Sequence, residues 1–179
     1  AEREACGFYS RLLIEGFMKE MDVANPQKKQ QFEQIAYAVR PMAVGLIRLY
    51  EVTRKLKYLK MAGLAASWFF GNNALRQRMY DPETGRCFDG ITDSVTLNRN
   101  SGAESTIEAL YTLIEIERYS AARTYLDFHK VATGSTARFL YAVYRNDAGR
   151  ELTLALDLER AKVLIMEADE SRAFQAKVK

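Results

Sequence analysis

The sequence predicts a mainly α fold of stacked α/α hairpins with a small C-terminal antiparallel β segment. Three observations carry this. Apolar residues recur every three or four positions through most of residues 1–132. A polar interval at 72–100, rich in turn residues, keeps no helical period. Beyond Thr133-Gly134 the period drops to two. The expected domains are a helical-hairpin domain over 1–132, carrying the long loop 72–100, and an antiparallel β segment over 133–179. That segment stops within an alternating run, Ala173 to Lys179, and the natural protein is expected to continue.

Tyr9, Leu12, Leu13, Gly16 and Phe17 fall at helical spacing and predict a helix over 2–22, broken by Asn25-Pro26. A second helical pattern starts near Gln27 and runs through Phe32, Ile35, Ala36 and Val39. It resumes after Pro41 with Met42, Leu46, Leu49 and Tyr50, with a kink expected at the proline. Tyr58, Met61, Ala62, Ala65 and Phe69 predict a third helix, closed by Gly71. Asp81-Pro82-Glu83-Thr84-Gly85 reads as a tight reversal between short extended pieces. From Ser101 a helix should bury Ala103, Ile107, Leu110, Tyr111 and Ile114, and another should carry Ala122, Tyr125, Leu126 and His129. Phe139, Tyr141 and Val143, the turn Asn146-Asp147-Ala148-Gly149, and Leu152, Leu154, Leu156 and Leu158 spell a hairpin. Val163–Met166 supplies a third strand.

The chain has 179 residues, 48% of them hydrophobic and 27% charged, which is ordinary for a globular protein able to bury a core. A net charge of +3 is too small to argue for nucleic acid, and the cluster Arg54, Lys55, Lys57 and Lys60 reads as solvated charge at a turn. No apolar run approaches the roughly 20 residues that span a bilayer. Cys6 and Cys87 form neither a metal motif nor a disulfide framework and leave the compartment undetermined. Neither phosphate-cradle motif occurs, and no cofactor is expected.

The chemistry concentrates between Trp68 and Glu117. Aromatic faces beside carboxylates and amides suit a polyhydroxylated ligand, the ring taking the C–H face and the polar groups the hydroxyls. Trp68, Asn72, Tyr80 and Asn98 are the candidate binding residues. Glycoside hydrolysis needs two carboxyl groups flanking the bond, and Asp89 with Glu104 is the candidate pair. Each has a structural alternative. Ser101-x-x-Glu104 matches a capping box, Asp89-Gly90 and Asp81-Pro82 match turns, and the asparagines match helix-end caps. Core packing is the alternative for two of Trp68, Phe69 and Phe70. The spacing of Asp81, Glu83, Asp89 and Asp93 does not match a calcium loop, so no metal is expected, and the lone His129 has no partner motif.

Ser67-Trp68-Phe69-Phe70-Gly71-Asn72-Asn73, Tyr80-Asp81-Pro82-Glu83-Thr84-Gly85 and Asn100-Ser101-Gly102-Ala103-Glu104-Ser105-Thr106 carry a resemblance, together with Ile35-Ala36-Tyr37 and Leu49–Thr53. Residues 30–118 resemble uncharacterised bacterial carbohydrate-related proteins with six-hairpin-glycosidase-like domains, including regions attached to glycosyltransferases. The resemblance implies the C-terminal part of an (α/α)6 toroid, a partial α/α toroid here, and a carbohydrate-processing role. The competing expectation is a non-catalytic sugar-binding or structural module that self-associates or docks onto a missing N-terminal half. The expected partner is a carbohydrate ligand, with neither nucleic acid nor membrane.

Overall fold

The computed structural model describes residues 1–22 and 24–178. It begins with α1 (Glu2–Glu4), a π turn (Ala5–Tyr9) and α2 (Ser10–Glu15), followed by β1 (Glu20–Met21), β2 (Lys29–Gln30) and β3 (Gln34–Ile35). A 3-10 turn (Ala36–Ala38) leads into α3 (Val39–Thr53) and α4 (Lys57–Ala66), and a second (Ser67–Phe70) precedes β4 (Gly90–Ile91) and β5 (Leu97–Asn98). Then come α5 (Ala103–Glu117), α6 (Ser120–Arg123), β6 (His129–Ser135), β7 (Phe139–Arg145), β8 (Glu151–Asp157), β9 (Lys162–Glu167) and α7 (Ala168–Val178).

Helix takes 43% and strand 22%, in three antiparallel sheets of two, three and four strands. The fold is therefore mixed α/β, which corrects the expectation of a mainly α chain, and the described residues form no (α/α)6 toroid. Two compact units divide the chain: residues 16–126, and residues 1–15 with 127–179. The boundary expected at 132/133 falls inside β6. Among the described residues no helix is long and apolar enough to cross a membrane.

In the unit 16–126, the pattern expected to be helical from Gln27 forms β2, β3 and a 3-10 turn as far as Ala38, and is helical only from Val39. Gln27 to Gln31 are all polar and offer no face to bury. Phe32 packs on the core cluster of Ala36, Val39, Trp68, Phe69, Met79, Cys87, Ile91 and Ala109 from outside regular helix. The helix expected over 2–22 stops at Glu15, because Gly16 takes φ 113° and turns the chain. Pro41 makes no kink: α3 starts at Val39, so the proline stands in a first turn whose N–H groups have no intrahelical acceptor.

The helices α3 and α4 form a hairpin, α5 packs on α3, and α6 packs on α4. The third helix ends as expected, with Gly71 at φ 105°. Three strands, β3-β4-β5, pair in register Gln34↔Ile91 and Ile91↔Leu97. They bring the stretch before α3 and the loop before α5 side by side.

In the other unit, β6-β7-β8-β9 is an antiparallel meander. Its centre is the hairpin the alternation predicts, Tyr144 opposite Leu152 and Ala142 opposite Leu154, with Gly149 at φ 77° closing the turn on Asn146. Cross-strand partners share a face. Tyr144 lies on the face where its hydroxyl donates to the Leu13 carbonyl of α2 at 2.6 Å, and burial pushes its pKa up. Thr153 lies on the other, 2.7 Å from Ser171 of α7. There Phe174 meets Phe139 and Tyr141 edge-on at 5.2 and 5.6 Å. Residues 173–178, read from sequence as extended, are helical; Lys179 lies outside the described residues.

Candidate functional site

The aromatic run closing the third helix is committed to the core. Trp68 is fully buried, its Nε1 donates to Gln34 Oε1 at 3.1 Å, and its ring meets Phe69 edge-on at 5.5 Å. Gln34 in turn donates through Nε2 to the Phe17 carbonyl at 2.8 Å. This buried glutamine has no distinguishing neighbours in sequence, and only pairing with β4 reveals it. Trp68 therefore presents no open face to a ligand. Asn72 donates to Ser67 Oγ at 2.8 Å, and Asn73 bridges the Trp68 and Gln77 carbonyls at 2.9 and 2.7 Å, so both tie down the chain leaving the helix.

The reversal after Tyr80 is built by Asp81. Its carboxylate accepts the Glu83 N–H at 3.0 Å and the Thr84 hydroxyl at 2.7 Å, and these bonds, the hydroxyl first, hold its pKa below the usual carboxylate value. Asp93 makes a second such turn by accepting the Val95 and Thr96 amides, both at 2.9 Å. Tyr80 and Cys87 bridge across the base of the first. Burial, with the Asp89 charge beside it, pushes the Cys87 thiol up to about 12, so it is no nucleophile near neutral pH.

Asp89 is the junction of the region. Its backbone N–H donates to the Asn100 carbonyl at 2.8 Å and its carbonyl accepts the Ala36 N–H at 2.9 Å. Its Oδ1 accepts the Gly102 N–H at 2.9 Å and the Ser105 hydroxyl at 2.7 Å. A carboxylate from a distant loop thus caps α5 at its positive end. The capping box considered for Ser101 and Glu104 is not formed: the N-cap residue is Gly102, Ser101 Oγ lies 3.3 Å from Thr106 Oγ1, and Glu104 is exposed.

The candidates are consequently spread apart. Asp89 and Asn98 line a small cleft near 260 Å³ with Gln34 and Thr92. Asn98 Oδ1 accepts the Asn100 N–H at 3.1 Å. Tyr80 lines a separate, larger cleft near 710 Å³, together with Arg78, Arg86, Phe88, Arg99 and Asn100. Glu104 lines neither. In the larger cleft Tyr80 is braced edge-on by Phe70 at 6.1 Å, Arg78 lies over Phe70 at 5.7 Å, and Arg99 lies over Phe88 at 5.6 Å. Sequence reasoning missed these arginines because they are separated by 8 and 13 residues and follow no motif; the turn at Asp81 and the backbone bond from Asp89 to Asn100 bring them to one rim. Neither any protein-family model nor any curated protein matches this chain.

Proposed function

We propose that this chain is a carbohydrate-binding module whose ligand occupies the cleft between the Asp81 reversal and Arg99-Asn100. The observation that carries the reading is the composition of that cleft. Tyr80 and Phe88 provide aromatic surface, while Arg78, Arg86, Arg99 and Asn100 provide donors around a space near 710 Å³. Such a volume is in the range of small-molecule sites, and the mixture suits sugar rings, whose C–H faces lie on aromatics while their hydroxyls take polar groups. None of the three guanidinium groups is ion-paired among the described residues, so each keeps donors for a ligand. The three outnumber the carboxylates of Asp81 and Glu83, which favours acidic sugars over neutral ones.

Acid/base hydrolysis by Asp89 and Glu104 draws no comparable support. One oxygen of Asp89 already holds the start of α5, and Glu104 stands outside both clefts. The test is calorimetric titration of the chain with neutral and uronate-containing oligosaccharides, with product analysis of the same mixtures. Saturable binding lost in Tyr80→Ala and Arg99→Ala, with Tm unchanged in the latter and without cleavage, is the expected outcome. Absence of binding across the panel, or binding indifferent to both substitutions, overturns the reading; cleavage abolished by Asp89→Asn restores the catalytic one.

A further inference from the structure

The helix α5 is buried on the side that carries its small residues. Ser105, Ala109, Thr112 and Ile116 face inward with Glu115, and three large side chains stand out: Ile107 is 62% exposed, Tyr111 43% and Ile114 63%. At about 100° per residue, Glu104, Ile107, Tyr111, Ile114 and Arg118 fall within a stripe roughly 80° wide, nearly opposite the buried face. Its ends are charged and exposed, acidic at Glu104 and basic at Arg118. The spacing of three, four, three and four residues is that of a coiled-coil seam. Tyr37, 46% exposed, extends the apolar surface on the adjoining 3-10 turn, and the Arg40 guanidinium lies 5.5 Å from the Tyr111 ring centre.

Reversed end to end, this stripe is complementary to itself. Glu104 and Arg118 each lie seven residues from Tyr111, about 10 Å along the axis in opposite directions. We infer that α5 is a homodimerisation helix, which packs antiparallel on α5 of a second copy about a two-fold axis at Tyr111. Ile107 of each copy then meets Ile114 of the other, and Glu104 pairs with Arg118 at both ends, as an isologous contact requires. A parallel pairing would set Glu104 against Glu104 and Arg118 against Arg118. Arg118 already binds Glu115 at 2.9 Å, and its remaining donors accommodate a second carboxylate. Glu104 makes no ion pair among the described residues and is available to it. A single-helix seam is small beside the roughly 1,200–2,000 Å² of stable interfaces, so the dimer should dissociate on dilution in the micromolar range.

Sedimentation velocity of the chain over a concentration series tests this. The expected result is a reversible dimer that Ile107→Lys weakens at least tenfold without changing the circular dichroism spectrum. Glu104→Arg should weaken it, and adding Arg118→Glu to that variant should restore it. Oxidation of Tyr111→Cys should give a covalent dimer, whereas Glu104→Cys should not, because its two copies lie about 21 Å apart along the seam. Cys6 and Cys87 are buried and do not compete. A chain monomeric up to about 1 mM, a dimer indifferent to Ile107→Lys, or crosslinking at 104 but not at 111 overturns the proposal.

Discussion

The helices α4 and α5 both pack within one unit, yet they meet their surroundings in opposite ways. From Tyr58 to Ala66, α4 is buried at every position except Lys60, so its whole circumference is core. It comes so close to α6 that a Cβ on Gly63 would run into the Ala122 carbonyl oxygen and stand 2.9 Å from Tyr125 Cβ. The second helix, α5, turns Ser105, Ala109 and Thr112 inward with Ile116, and turns Ile107 and Ile114 out. What sets that rotation is polar. Asp89 holds its first turn, Arg40 pairs with Glu108, and Arg48 reaches the buried Glu115 at 3.0 Å. Turning α5 to bury Ile107 and Ile114 would break those pairs and the Asp89 cap and would expose Ile116. Hydrophobicity alone therefore misjudges which face of this helix is inside.

The contrast between the two faces is sharpest at two isoleucines of the same helix. Ile116→Ala removes a fully buried side chain and should cost about 2–5 kcal/mol. Ile107→Ala, measured under monomeric conditions, should change stability by less than about 0.5 kcal/mol. Denaturant titration of the two variants side by side decides it, and equal losses would mean that the helix is rotated. Next in size is Gly63→Ala. A better helix former is introduced, but it forces α4 and α6 apart, so a loss of about 1–3 kcal/mol is expected in place of the gain that an open helical glycine would give.

The same contrast explains what could be read from sequence. The hairpin of β7 and β8 was legible because its leucines alternate strictly and Asn146–Gly149 marks the turn, so period and punctuation agreed. The chain from Gln27 to Val39 was not. Phe32, Ile35, Ala36 and Val39 do fall at helical spacing, but extended and 3-10 backbone delivers Phe32 and Ala36 to the core before α3 begins at Val39, and the polar run before them gives a helix nothing to pack. Tyr125 and His129 misled in a related way: α6 ends at Arg123 and His129 opens β6, a boundary settled by pairing with β7, where His129 faces Arg145. The two-stranded and three-stranded sheets consist of strands two residues long, too short to leave a period.

Within the candidate site, the cap formed by Asp89 was not legible: Asp89-Gly90 reads as a turn, and the partners of the carboxylate lie 13 and 16 residues further along the chain. That separation makes the carboxylate a tie between loop and helix. Asp89→Ala should cost about 1–2 kcal/mol through the lost cap and the Gly102 N–H left without its acceptor. Measured under monomeric conditions, Glu104→Ala should cost less than about 0.5 kcal/mol, because the exposed side chain makes no cap. Thermal unfolding of both variants tests this. A larger loss at Glu104 would show that the helix start is organised by Ser101 and Glu104 after all.

A further small effect concerns α3, the helix against which both α4 and α5 are packed. It ends at Arg54, a non-glycine residue in the left-handed region at φ 58° and ψ 17°, whose N–H closes the last turn on the Tyr50 carbonyl at 2.7 Å. A Cβ is unfavourable there, and glycine is the usual occupant of such a position. The arginine also contributes something: its guanidinium lies 5.9 Å from the Tyr50 ring centre, a contact worth about 0.5–1 kcal/mol at an exposed site. Relief of the backbone outweighs loss of that contact by a small margin, so Arg54→Gly should stabilise the chain by about 0.5 kcal/mol, raising Tm by about 1–2 °C. A fall in Tm would mean that the stacked guanidinium, and not the backbone, decides how α3 ends. The turn that carries α4 back along it would then be held from the side-chain side.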